Sequence, residues 1–223
     1  MRVLVVTAVA AEADSVAAGV TDRVALAGGY TLMRTPAADV LAGGVGPAAA
    51  AAAAATALTT HPYDLVVCAG IGGGFAPHAP IGSLVVSDAI VAADLGAETP
   101  AGYLPVDELG FGRTVHRPPA ELAARMAEAL DAAYAPVLTV STVTGTAARA
   151  AELTARHPRA AAEAMEGFGV AEAAAAHGVP VVEIRAVSNA VGPRDRAAWR
   201  IGEALDALRH AFQQLAPVLQ ESP

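Results

Sequence analysis

An α/β fold is predicted for this chain on three observations. Short runs rich in Val, Ile and Leu recur along it, stretches of helical spacing fall between them, and several runs end in small residues, as strands feeding one edge of a sheet do. The strand-like runs are residues 3–7, 39–42, 65–69, 83–91, 136–141 and 181–187, and the helical stretches are 47–60, 119–134, 165–177 and 195–218. Strands alternating with helices indicate a mostly parallel sheet. The 223 residues show no internal repeat and no domain boundary, so residues 1–223 are read as one domain with a substantial core.

Each element has a local reason. The first run, "VLVVT", is β-branched and soon followed by Glu12 and Asp14, which favours a core strand over the apolar segment of a signal peptide. Residues 47–60 open with Pro47, whose missing N–H costs nothing at a first helical position, and continue through eight alanines, the best helix formers. The run at 65–69 leads into Gly70, Gly72, Gly73 and Gly74, read as a loop whose backbone N–H groups can approach a ligand closely. Residues 96–117, full of Gly, Pro and acids, read as a long loop at the mouth of a site or at a subunit contact. In 119–134, Leu122, Met126 and Leu130 recur every four residues; 165–177 stops at Gly178; and 195–218 is expected to carry Trp199, Leu205, Leu208 and Phe212 on one stripe.

Composition narrows the function. A net charge of −8 argues against nucleic acid or an anionic membrane surface as partner, since both are bound through Lys/Arg patches. No apolar stretch reaches the roughly eighteen residues of a membrane span. The histidines at 61, 78, 116, 157, 177 and 210 form no His-x-x-x-His pair or Cys/His cluster, so no metal site is expected. Cys68, the single cysteine, reads as a small buried hydrophobe in a reducing, cytoplasmic setting. The stretch from Gly44 to Ala49 fits G-x-G-x-x-A, but the acid that should hold a dinucleotide ribose, Asp64, opens its strand instead of closing it. No cofactor is expected.

The segments "MRVLVVTAVAAEAD", "GGVGPAAAA", "VVCAGIGGGFAP", "IGSLVVSD", "AEAMEGFGVAEAA" and "VVEIRAVSNAVGPRD" carry a resemblance. Their order and spacing are similar to those of the nucleoside phosphorylase and nucleosidase superfamily, from about Met1 to Phe212, and closest to its members that hydrolyse methylthioadenosine, adenosylhomocysteine or futalosine. The resemblance implies a single-domain, three-layer α/β fold with a central mixed sheet flanked by helices, cofactor-free cleavage of a purine–ribose bond, and a homodimer or higher homo-oligomer. By it, Glu12 matches the glutamate that positions the attacking water. Met165 packs against the sugar and Glu166 binds the 2′- and 3′-hydroxyls. Asn189 matches the residue that reads purine N7 and the exocyclic edge, an aspartate in adenine-specific members. Gly72, Gly73, Gly145 and Ser188 join Met165 as expected substrate-binding residues.

The chemistry suits these residue types. N-glycoside cleavage builds positive charge on the ribose and negative charge on the base, so a carboxylate on the ribose hydroxyls strengthens its hold as the bond breaks. Glu166 and Glu12 each have a competing role as acids favouring a helix N-terminus. Asn189 cannot ionise; it can donate to N7 and to a 6-oxo group, which points to hypoxanthine and to futalosine, a 5′-substituted inosine of menaquinone synthesis. Neither residues 61–74, leading into the glycine run, nor residues 7–14, after the first strand, contain an arginine, so water is expected as nucleophile instead of phosphate. The benzoate of futalosine needs a cation, with Arg113, His116 and Arg194 all open. Alternatives are an adenine nucleosidase acting on methylthioadenosine, adenosylhomocysteine or aminofutalosine, an inosine-type phosphorylase, and a non-catalytic nucleoside-binding protein.

Overall fold

The computed structural model describes residues 1–17 and 19–220. Its strands are β1 (Val3–Thr7), β2 (Asp22–Ala25), β3 (Thr31–Arg34), β4 (Asp39–Ala42), β5 (Leu65–Gly74), β6 (Leu84–Ala92), β7 (Gly96–Thr99), β8 (Gly102–Pro105), β9 (Val115–His116), β10 (Ala133–Thr139), β11 (Ala162–Ala164) and β12 (Val181–Ala190). Its helices are α1 (Ala10–Val16), α2 (Pro47–Leu58), α3 (Ala120–Ala129), α4 (Ala147–Arg156), α5 (Gly167–Ala176) and α6 (Ile201–Gln220). The main sheet runs β11–β10–β6–β12–β5–β1–β4–β3–β2, with β9 added on β6.

The sheet is mixed. β1 lies parallel to β4 and β5, and β12 parallel to β5, but β12 meets β6 antiparallel and β2, β3 and β4 form an antiparallel meander. β11 pairs parallel with β10 and antiparallel with β5, so β5, β12, β6, β10 and β11 close on themselves while β1 to β4 stay open. The sheet is thus mixed, as the resemblance implied, and not mostly parallel as the alternation of elements indicated: β12 meets β6 antiparallel, and the short strands β2, β3, β9 and β11, which the sequence pattern did not mark, add further antiparallel pairs.

Strand alternation sorts the core into two layers. Val3 and Val5 of β1, with Val67, Ile184 and Ala186, pack beneath α1, α3 and α6. Leu4 and Val6, with Val66 and Cys68, face α2 and α5. The alanine run thus forms a flat helix face: Ala50, Ala53, Ala54 and Ala57 are buried against the sheet and against Val170, Ala171 and Ala174 of α5. The approach is close enough that a Cβ on Gly169 would stand 2.0 Å from the carbonyl oxygen of Pro47.

Several boundaries differ from the sequence reading. The glycine stretch is not a loop: β5 continues through Gly74, held by β12 on one side and β11 on the other. Residues 96–117 contain the β7–β8 hairpin and β9, and do not line the cavity described below. Helix α6 starts at Ile201; a 3₁₀ turn over Arg196–Ala198 precedes it, and Trp199 lies outside the helix. Its buried stripe is Ala204, Leu208, Ala211, Phe212, Leu215 and Leu219, and Leu205 is off it. Helix α4 was missed because Leu153 is its one buried residue, leaving no apolar period to read. Among the described residues no helix is long and apolar enough to cross a membrane.

Gly169→Ala is expected to destabilise the protein by about 1–3 kcal/mol in urea unfolding, the usual cost of overpacking. Gly145→Ala, with nothing within 4 Å of its added Cβ, should leave stability unchanged or slightly higher. An unaltered midpoint for Gly169→Ala would mean that α2 and α5 stand further apart than this.

Candidate active site

The C-terminal ends of β5 and β12, the loop entering α1 and the β11–α5 turn surround a cavity of about 370 Å³. Glu12, Gly72, Gly73, Met165, Glu166, Ser188 and Asn189 all line it. Gly145 does not: its carbonyl accepts from the Arg194 N–H at 3.3 Å and helps hold the neighbouring loop. A second cavity of about 380 Å³, beside Tyr103, Asp107 and Arg156, contains none of the residues singled out in the sequence as site residues.

Glu12 is fixed by backbone donors. Its Oε1 accepts from Ile71 N at 2.9 Å, and its Oε2 from Ala8 N at 2.9 Å and Val9 N at 3.2 Å. The Val9 contact satisfies the N-cap N–H of α1, so one carboxylate both caps a helix and borders the cavity. Glu166 is the N-cap residue of α5. Its Oε1 accepts from Gly46 N at 3.1 Å, and its Oε2 stands 3.2 Å from Arg185 Nη2. Gly46 has φ 92°, a left-handed conformation suited to glycine. The G-x-G-x-x-A stretch therefore serves an internal carboxylate.

Beneath the cavity lies an ion cluster built by period-two alternation on β12. Ile184 and Ala186 face one core layer, which sends Glu183 and Arg185 to the other. Arg185 is 1% exposed and donates from Nε to Glu183 Oε1 at 2.8 Å and from Nη1 to the Ile71 carbonyl at 3.3 Å. A Cβ at Gly70 would lie 2.6 Å from both Arg185 Nη1 and Glu12 Oε1, so bare backbone there lets the cluster and Glu12 approach each other. Burial raises the pKa of Glu183, opposed by Arg185. Burial likewise pushes the Cys68 thiol well up. For Arg185, burial acts downward but is outweighed by the negative groups around it, Glu183, Glu166 and Glu12 among them, and the guanidinium stays charged.

Asn189, one residue before the end of β12, has its side chain oriented. The Ser188 hydroxyl donates to Asn189 Oδ1 at 2.9 Å, with the Gly72 carbonyl a further acceptor at 3.2 Å. Asn189 Nδ2 donates to the Ala190 carbonyl at 3.0 Å, which leaves its second N–H for a ligand.

Glu163, Val45 and Trp199 are among the cavity residues that went without a role in the sequence. Glu163 stands two positions before the Met165–Glu166 pair; it is buried, accepts from Thr144 N at 2.8 Å and Thr144 Oγ1 at 2.5 Å, and burial raises its pKa against those two hydrogen bonds. Val45 enters from the turn before α2. Trp199 was placed on a helix, yet it lines the cavity with the Arg194 guanidinium 5.1 Å from its ring centroid. Of the cations offered for a carboxylate-bearing ligand, His116 and Arg113 lie 2.8 and 3.6 Å from Glu172 and do not line the cavity; Arg194 does. The lining thus combines three carboxylates with Arg194 at the rim.

A fold with this closed sheet and this constellation at its strand ends defines a class. Residues 28–221 match the model of the phosphorylase superfamily, and the chain belongs to that family. A futalosine hydrolase from Streptomyces coelicolor is 65% identical, with 99% of this chain and 97% of the relative covered. One from Acidothermus cellulolyticus is 50% identical over 95% of this chain and 89% of its own. Among solved structures, a 5′-methylthioadenosine/S-adenosylhomocysteine nucleosidase from Colwellia psychrerythraea, in complex with adenine, superposes with a TM-score of 0.82 at 24% identity, covering 98% of this chain and 94% of that one.

Arg185→Met would leave Glu183 buried without its partner and is expected to cost about 3–5 kcal/mol in denaturant unfolding. A loss below about 1 kcal/mol would show that the cluster does not hold these strand ends.

Proposed function

We propose that this protein is a nucleosidase that hydrolyses the N-glycosidic bond of futalosine and releases hypoxanthine. The observation that carries the reading is Asn189: a neutral amide, oriented by Ser188, facing the same cavity as Glu12 and Glu166 in a chain 65% identical to a futalosine hydrolase. The adenine held by the Colwellia enzyme supports a purine as ligand of this fold.

The proposed division of labour follows from the contacts. The purine lies beside the end of β5 at Gly72 and Gly73, with N7 and O6 toward the free N–H of Asn189. Met165 packs against the ribose. Glu166, anchored by Gly46 and Arg185, takes the 2′- and 3′-hydroxyls and gains hold as the sugar becomes cationic. The C1′–N9 bond breaks with its electron pair going to the base, and water forms the new bond to C1′ while its proton passes to Glu12. Asn189 stabilises the departing hypoxanthine by hydrogen bonding and gives up no proton; the base is protonated from solvent.

Water is preferred to phosphate on electrostatic grounds. Three carboxylates face the cavity, and the one guanidinium beneath it, Arg185, is buried and already shared between Glu183 and Glu166. A phosphate dianion would meet like charge there. Arg194, stacked on Trp199 at the rim, is the cation placed to meet the benzoate of the 5′ extension. A cofactor-free, cytoplasmic homo-oligomer belongs to the same reading.

Product analysis tests it. Futalosine should yield hypoxanthine and the free sugar at the same rate with and without phosphate; phosphate-dependent turnover giving a sugar 1-phosphate would refute the hydrolytic reading. Glu166→Ala should lower kcat/KM at least about a hundredfold, and near-native activity would remove Glu166 from the ribose.

A further inference from the structure

Glu183 is a fully buried carboxylate that the proposed chemistry leaves without a task. Its register partner on β5 is Cys68, and it shares a face of the sheet with the apolar layer of Cys68, Phe168 and Val170. Its Oε1 accepts from Arg185 Nε at 2.8 Å, whereas its Oε2 has no hydrogen-bond partner among the described residues. A half-satisfied carboxylate is a costly way to fill a position that an aliphatic side chain could occupy. The fold nevertheless makes room for it: a Cβ on Gly167 would collide with the Glu183 carboxyl group. Gly167 is the first residue of α5, whose N-terminus favours negative charge beside it.

What this residue changes is charge. Arg185 stands between two carboxylates, with Nε on Glu183 and Nη2 3.2 Å from Glu166 Oε2. It also meets two neutral acceptors, the Ile71 carbonyl at 3.3 Å from Nη1 and Cys68 Sγ at 3.3 Å from Nη2, and burial keeps that thiol protonated. Without Glu183, Arg185 and Glu166 would form a neutral pair, and the guanidinium would draw the charge of Glu166 away from the cavity. With it, two carboxylates share one cation and the cluster is net negative.

We propose that Glu183 is a positioning residue for the reaction: by occupying the Nε side of Arg185 it leaves Glu166 with charge that the guanidinium does not cancel, and that charge stabilises the ribose as it becomes cationic. The inference rests on the nucleosidase reading above and adds the origin of the field beneath the sugar. Glu183 touches neither sugar nor base and works through Arg185 and Glu166. A charge acting over roughly 10 Å at an effective dielectric of about 20 changes the stability of a cation about tenfold. A neutral ground-state sugar feels little of it, so the effect belongs to kcat and not to KM.

The test compares kcat and KM for futalosine in the wild type, Glu183→Gln and Glu183→Leu. Glutamine keeps an acceptor for Arg185 Nε and loses the charge; leucine loses both but suits the apolar layer around it. Each variant should lower kcat about tenfold and change KM by less than about threefold. Native kcat in Glu183→Gln, whether or not Glu183→Leu is impaired, means that an acceptor for Nε is all the position supplies, and overturns the proposal. A second readout needs no turnover: the binding of two unreactive hypoxanthine nucleoside analogues, one with a protonated iminosugar and one with a neutral carbocycle. Both variants should bind the cationic analogue about tenfold more weakly and the neutral one unchanged; equal losses for the two analogues overturn the proposal. If neither variant folds, Glu183 is a structural residue and the proposal falls. A wild type that cleaves no futalosine fails the nucleosidase reading itself, and is recognised before any variant is compared.

Discussion

The arrangement depends on a strand that sheds its side chains before it ends. Residues 65–69 of β5 fill the core on both faces, and the rest of the strand is Gly70, Ile71, Gly72, Gly73 and Gly74. The space those glycines leave is already taken. Glu12 and Arg185 crowd Gly70, the Glu163 carbonyl crowds Gly72, the Val191 side chain crowds Gly73 with Asn189 beside it, and the Ala79 carbonyl presses on Gly74. The functional groups consequently come from the flanking elements, with α1 and the start of α5 supplying carboxylates and β11 and β12 supplying Glu163, Ser188 and Asn189.

Charge is arranged around that strip. A guanidinium taken out of water is costly unless its hydrogen bonds are met, and Arg185 meets them with Glu183, the Ile71 carbonyl and Glu166. It ties the sheet interior to the cavity floor, since the carboxylate it holds from below, Glu166, is also exposed to the cavity from above. The surface presented upward is negative, which suits a sugar that gains positive charge and repels a phosphate nucleophile. In the proposed reaction the same field serves both catalysis and the choice of water.

Much of this was legible in the sequence, because long apolar runs and helix punctuation leave strong marks. All six strand runs form strands, and Glu12, Met165, Glu166, Ser188 and Asn189 are brought to one cavity. The losses have physical causes. Short strands such as β11, with sequence "AEA", are fixed by pairing on both sides and carry no β-branched residue to announce them. Glycines read as a loop were strand, because the ladder to β12 and β11 continues where side chains stop. Glu163 and Arg185 were visible as letters, but nothing in one chain's spacing says that register sets Glu163 opposite Asn189 or that alternation turns Arg185 under Glu166. Trp199 follows a 3₁₀ turn that breaks the helix expected there.

The most direct measurement is a crystal structure of the protein with hypoxanthine bound. The account requires the ring to lie beside the end of β5 at Gly72 and Gly73, with N7 and O6 about 3 Å from Asn189 Nδ2 and the sugar-bearing nitrogen toward Glu166. A ring seated elsewhere, with the Asn189 amide engaged by protein alone, would contradict it.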